Sequence, residues 1–248
     1  MADGREQFLR TVRQALGRDQ AATPPPKSGE ADGESSIRDR ASEIQREAED
    51  NADALMSRLH EAATEAGWNV TRVASPAQAA DHILRVVQDL EARSIVRSAH
   101  DVLDALALDE GMARAGVSMT LAAIGDMATE GQRQEQRASI RESCISADVG
   151  LTGVDHAIAE TGSVVLLPRR GVSRLVSLLP PVHVAVVRRG QVLPGLDELF
   201  ALQRLDHIEG DLGSYLNIIT GPSRSADIEH TLVTGVHGPG EVHMVLLG

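Results

Sequence analysis

The chain has 248 residues, 42 % of them hydrophobic and 24 % charged, with a formal net charge of −12 at pH 7. That length holds one sizeable core, or a core with a small appendage, in an ordinary soluble composition. The acidic balance repels phosphate backbones and anionic membranes, and aromatics at 2 % provide no base-stacking platform, so nucleic acid and membrane are not expected partners.

The opening "MADGREQFLR" lacks the apolar core of a signal peptide, and a cytoplasmic location is expected. Phe8, Leu9, Val12 and Leu16 recur at helical spacing, which predicts an N-terminal helix within residues 1–18, stopped by Gly17. Residues 19–36 mix Pro, Gly, Ser and charge without a period and predict a flexible linker. Lys27, the only lysine, lies there, so neither a Schiff base nor a P-loop has a lysine in the expected domain, 37–248.

That domain opens with a helix over roughly 37–66, striped by Leu55, Met56, Leu59 and Ala63. "WNVTRV" predicts a strand, and Ser75, Pro76 and Gln78 predict a capped helix after it. "RSIVRS" predicts a strand, residues 100–107 a helix, "VSMTLAAI" a strand and residues 133–146 a helix. This last helix carries Cys144, the sole cysteine, which excludes a disulfide within the chain and a cluster held by several cysteines. "VHVAVV", "YLNIIT" and "EVHMVLLG" predict later strands, with a helix at "PGLDELFALQRL" between the first two. Strands alternating with helices predict an α/β protein with a mostly parallel sheet covered on both faces. The runs "VVLLP" and "VHVAVV" are too short to cross a bilayer.

Chemistry-bearing residues concentrate after Asp148. "DVGLTGVDHAIAETGSVVLL" carries Thr152, Asp155, His156, Glu160 and Thr161 at the expected strand ends, where ligands of α/β sheets bind. The same residues also suit turns that bond their own loops. Arg169, Arg170, Ser173, Arg174 and Ser177 form either an arginine clamp for a carboxylate or phosphate, or a solvated loop. "TGPSRSADIEHTLVTGVHGPGE" then gathers Thr220, Gly221, Ser223, Arg224, Asp227, His237 and Gly238. Ser223 or Ser225 suits the cap of a helix starting near Ala226, an arrangement that takes anions, although Asp227 in its first turn favours a polyhydroxy ligand or a partner's backbone over bare phosphate. His237, Glu241 and His243 match no zinc spacing, so no metal is expected.

Three blocks, "ADVGLTGVDHAIAETGSVVLL", "RLVSLLPPVHVAVV" and "ITGPSRSADIEHTLVTGVHGPGEVHMVLL", resemble the signature blocks of the lactate-utilisation protein C family, the LUD domain, in the correct order. The resemblance runs from roughly residue 50 to the end. It implies a three-layer α/β fold similar to the ribose-phosphate isomerase and CoA-transferase group, here with an N-terminal helical extension. It also implies the cluster-free subunit of a system that oxidises L-lactate to pyruvate beside iron–sulfur partner proteins, with no cofactor in this chain. No catalytic residue is carried over by name. The pocket expected from the residues themselves is Thr152, Asp155, Thr161, Ser173, Arg174, Thr220, Gly221, Ser223, Arg224 and Gly238, with Glu160, Asp227 and His237 as the groups suited to proton transfer. The alternative is a stand-alone sugar-phosphate isomerase-like or acyl-CoA transferase-like enzyme, the latter using Glu160 as nucleophile.

Overall fold

The stripe Leu55, Met56, Leu59 and Ala63 is buried, but the helix that carries it is not continuous. In the computed structural model, which describes residues 33–124, 129–167, 173–209, 215–225 and 233–248, Asn51 interrupts it. Helix α1, Glu34–Asp50, precedes the break and α2, Ala52–Ala66, follows it. The chain divides into two units, Met1–Arg40 and Ala41–Gly248. Only the start of α1 is described in the first unit; the helix expected near the N-terminus lies outside the described residues. In the second, Ala41, Ile44 and Ala48 line the buried side of α1. Gly67 ends α2 at φ 98°, a left-handed turn suited to glycine, and the Trp68 N–H returns to Ala63 O.

Strand β1, Asn69–Val73, leads into α3, Pro76–Asp89. As predicted, Ser75 caps α3, accepting from the Gln78 N–H at 3.3 Å, while the Gln78 side chain accepts from the Ala74 N–H at 2.8 Å. Then come β2 (Ser94–Arg97), α4 (Asp101–Asp104), α5 (Leu108–Arg114), β3 (Ser118–Leu121) and α6 (Glu130–Ser146). Strands β4 (Val149–Gly153), β5 (His156–Ile158), β6 (Ser163–Leu166) and β7 (Val182–Arg188) follow, a 3-10 turn at Arg174–Ser177 preceding β7. The chain closes with β8 (Val192–Leu193), α7 (Leu196–Glu209), β9 (Asn217–Ile219), β10 (Arg224–Ser225), β11 (Val233–Thr234) and β12 (Glu241–Leu247). Helix α5 was not expected from the sequence; only Leu108 and Met112 of its seven residues are buried, too few to form a visible stripe.

Six strands build one all-parallel sheet in the order β1-β12-β7-β4-β2-β3. On one face, Ile83, Val102, Leu108 and Met112 pack on Ile95, Leu151, Val184 and Val245. The other face, with Ala185, Val187 and Met244, takes α2, α7 and a second sheet of order β8-β5-β6-β9. Alternation along β7 shares its valines between both cores, and each fully buried valine contributes roughly 1.5–3 kcal/mol. The chain leaves β2 toward the first face, through α4 and α5, and leaves β4 toward the second, through β5 and β6. Adjacent strands whose exits diverge form the switch point at which open α/β sheets bind ligands.

Between the layers lies polar material. His183 is fully buried and its Nε2 lies 2.8 Å from Thr152 Oγ1. Burial, with a smaller contribution from His243, lowers the imidazole to about 3, so it stays neutral at pH 7. Its ring sits 5.9 Å from that of Trp68. Beside this pair the turn that covers β4 touches backbone directly: a Cβ on Gly150 would overlap the Val176 carbonyl oxygen.

Gly150→Ala is therefore expected to destabilise by about 1–3 kcal/mol, read as a lowered denaturation midpoint, because backbone must yield. A depressed folded-state histidine also makes stability fall on acidification: below its unfolded value of 6.5 the unfolded chain binds a proton that the folded chain refuses. His183 alone should then cost about 1.4 kcal/mol per pH unit between 6.5 and its folded value, a slope that pH-dependent unfolding of the wild type and His183→Gln would isolate.

Candidate functional site

Two sequence-distant strands bring three hydroxyls into a chain. Ser163 Oγ lies 2.7 Å from Thr161 Oγ1 and 2.7 Å from Thr220 Oγ1. The pairing of β6 with β9 continues to place Ser163 opposite Thr220. Ser163 is buried and Thr220 exposed, so the chain runs from interior to solvent. Gly162 fixes the turn against α2, where a Cβ would overlap the backbone of Ala62 and Ala63.

The segment after Thr220 docks on the end of the same helix. Gly221 lies against Ala66 O, and the Arg224 guanidinium donates to that oxygen at 3.1 Å. Arg224 thereby caps the Ala66 carbonyl at the C-terminal end of α2, the end that favours a cation. Ser223 ties the segment together: its N–H donates to Pro239 O, its carbonyl accepts from Gly235, and its Oγ accepts from the His237 N–H at 3.2 Å. Gly238 packs on Ser223, and the Gly240 N–H donates to Pro181 O at the start of β7. His237 itself is exposed. Strands β10 and β11 pair antiparallel, whereas Asp227 and the helix expected near Ala226 lie outside the described residues.

The remaining expected residues are dispersed. Glu160 is exposed and lines an open cleft of about 430 Å³ with Arg58, Asp197 and Glu198, at the start of α7. Asp155 holds a loop, its carboxylate accepting from the Leu167 N–H at 2.7 Å. Ser173 caps the 3-10 turn, and the Arg174 guanidinium lies 5.3 Å from the Tyr215 ring centroid. Thr152 is interior, on His183. Arg169 and Arg170 lie outside the described residues. Thr161, Thr220, Gly221, Ser223, Arg224 and Gly238 are thus linked along one segment, while Glu160 faces another cleft.

Sequence reasoning missed Ser163, the centre of the hydroxyl chain, and the groups beyond the ends of the parallel strands. There Asp101 takes the Arg188 guanidinium at 2.8 Å and His100 Nδ1 at 2.7 Å, and Arg188 foremost holds its carboxyl below the usual range. The Val102 N–H also lies 3.3 Å from His100 Nδ1 but 2.9 Å from Asp101 Oδ1. The shorter contacts make Nδ1–H a donor to Asp101. Among the described residues, four buried side-chain atoms have no hydrogen-bond partner: Trp68 Nε1, Ser98 Oγ, His183 Nδ1 and Asn217 Nδ2. The available signal was a polar residue inside an apolar strand, as His183 is in "VHVAVV". Among the described residues no group of three His, Cys, Asp or Glu is placed to hold a metal ion, and no helix is long and apolar enough to cross a membrane.

Comparison with known proteins places this architecture. Lactate utilization protein C of Halalkalibacterium halodurans is 32 % identical over 242 residues, covering 96 % of this chain and 95 % of that protein. The namesake of Macrococcus caseolyticus is 44 % identical over a shorter stretch, 38 % of this chain and 41 % of its own. The electron transport protein YkgF of Escherichia coli, itself uncharacterized, is 26 % identical across 85 % of this chain, which spans only 51 % of it. In three dimensions, a DUF162 family protein from Deinococcus radiodurans shares the fold, with a TM-score of 0.53 at 22 % identity, over 79 % of this chain and 98 % of that one. The LUD domain model matches residues 56–247, from the middle of α2 through the last strand of the parallel sheet, and the chain belongs to that family.

Proposed function

We propose that this chain serves L-lactate utilisation as the subunit without an iron–sulfur cluster, beside iron–sulfur partner proteins that oxidise L-lactate to pyruvate. The observation that carries this reading is the match to lactate utilization protein C along nearly the whole of both chains. Its cysteine chemistry agrees: Cys144 is the sole cysteine, buried, and desolvation pushes its thiol up to about 11, which keeps it protonated and a poor metal ligand at neutral pH. The hydroxyl chain that surfaces at Thr220, close in sequence to Arg224, offers hydrogen bonds to a small carboxylate or to a partner's backbone.

Acyl-CoA transfer by Glu160 is the second reading, and the open cleft beside that carboxylate is the observation in its favour. Against it, Asp197 and Glu198 line the same cleft and repel the phosphates of CoA.

Two measurements separate the readings. A bacterium deleted for its own lactate utilization protein C, supplied with this chain and its iron–sulfur partners, should regain growth on L-lactate, and Glu160→Gln should restore it equally. Acyl-CoA turnover by the isolated chain, abolished by Glu160→Gln, would overturn the proposal in favour of the transferase. In parallel, L-lactate or pyruvate at a hundredfold excess over Kd should stabilise the purified chain by about 2.7 kcal/mol, a shift of several degrees in Tm.

A further inference from the structure

Ser98, Thr152 and His183 occupy three neighbouring strands of the parallel sheet. Ser98 continues the β2 ladder, its N–H donating to Leu151 O at 3.0 Å, while Thr152 belongs to β4 and His183 to β7. Alternation turns all three to one face. Val96, two residues before Ser98, packs with Val176, whose carbonyl oxygen lies over Gly150, two residues before Thr152. His183 pairs with Gly150 in register and reaches Thr152 Oγ1, and Trp68 joins from the end of α2.

All three side chains are fully buried, and Trp68 is 3 % exposed. Yet Ser98 Oγ, His183 Nδ1 and Trp68 Nε1 have no hydrogen-bond partner among the described residues. Alanine, valine and phenylalanine would fill these positions without leaving polar atoms unpaired. The row also begins at β2 and β4, the adjacent strands whose exits diverge to opposite faces. Ser98 and Thr152 thus lie at the switch point, and the orphaned His183 Nδ1 and Trp68 Nε1 belong to the adjoining part of the same layer.

We propose that this row, Ser98, Thr152, His183 and Trp68, is an interior binding site for hydroxyl and carbonyl oxygens of a small molecule. The indole N–H donates, the serine hydroxyl donates or accepts, and the neutral imidazole supplies either role through the tautomer that Thr152 leaves it. None of the four is a cation, so the row suits an uncharged oxygen and not a buried carboxylate. The choice of lactate and pyruvate as probes rests on the lactate reading above, and the uncharged amide of lactate is added because the row has no charge partner for their carboxylate; the site itself does not rest on that reading. The three orphaned atoms are sealed from solvent, so a ligand reaches them only with a displacement of the layers that cover them.

Trp68 is the only tryptophan, so its emission reports this position alone. L-Lactate, pyruvate and the uncharged amide of lactate are titrated against the full chain. Emission should change with one or more of them, and Ser98→Ala should weaken that ligand roughly tenfold, the equivalent of one lost hydrogen bond. Its Tm without ligand should not fall, because an unpaired hydroxyl is removed. Should Ser98→Ala fail to fold, Trp68→Phe keeps the ring and removes the N–H, with binding read by calorimetry and the same tenfold loss expected. Emission unmoved by all three probes overturns the site, as does unchanged affinity in the variant. A lactate-induced thermal shift that persists in Ser98→Ala leaves the lactate reading standing and removes this site. An emission response lost in the variant, with growth on lactate not restored, does the reverse.

Discussion

At Gly150 the backbone of β4 meets the carbonyl oxygen of Val176 with no room for a Cβ, and this contact sets the thickness of the layer above the sheet. A chain with only 2 % aromatic residues has few large apolar side chains with which to space its layers. It packs backbone against backbone instead, and Gly162 repeats the device where the β5–β6 hairpin meets α2. Close-packed interiors transmit such constraints, since neither surface can recede without opening a void. The 3-10 turn, its cap at Ser173 and the buried Ser177 are consequently held over β2, β4 and β7, where Ser98, Thr152 and His183 lie.

Charge is organised differently from the core. With one lysine in the sequence, the permanently charged partners of the acids among the described residues are arginines, and several such pairs gather beyond the C-terminal ends of the strands. Asp53 takes Arg72 at 3.3 Å and Arg189 at 3.1 Å, joining α2 to β1 and to the exit of β7. These partners are well exposed and each pair contributes little, about 0–1 kcal/mol. Their effect is positional, tying loops to the sheet. Asp148 works in the opposite direction at the N-terminal ends, where one carboxylate oxygen accepts from the backbone of Arg93 and Ser94 and from the Ser94 hydroxyl, fixing the register of β2 beside β4. Those hydrogen bonds, the Arg93 N–H foremost, hold its carboxyl below the usual range.

What sequence exposes of this fold is what depends on neighbours along the chain. Ser75, Pro76 and Gln78 announced α3, because a cap is satisfied within four residues. "VHVAVV" announced β7, and the alternation of elements announced parallel pairing. The break at Asn51 carries no glycine or proline, and the helical stripe continues across it, so periodicity alone could not register it. Strand order escaped for a deeper reason: β12 inserts between β1 and β7, a choice made by packing between elements far apart in the chain. The site divides along the same line. Thr161 and Thr220 stood out as polar residues at strand ends, but Ser163, which joins them across 57 residues of sequence, looked like an ordinary start of a strand.

Ser98 and His183 show why the interior was least legible. A serine at a strand end and a histidine within one are unremarkable until burial and pairing are known, since either residue is harmless when solvated. Removed from water without a partner, each becomes a cost of about 1–3 kcal/mol. Three such atoms on one face, in a protein of marginal stability, are a substantial fraction of what holds it folded. Glycine contacts and aliphatic layers elsewhere carry that cost. Acidification would add to it, because His183 is stable in its place only while neutral. The tight covering that excludes water from these atoms also keeps the imidazole neutral, so an oxygen-bearing ligand meets a desolvated, uncharged set of hydrogen-bonding groups whose unpaired positions it completes.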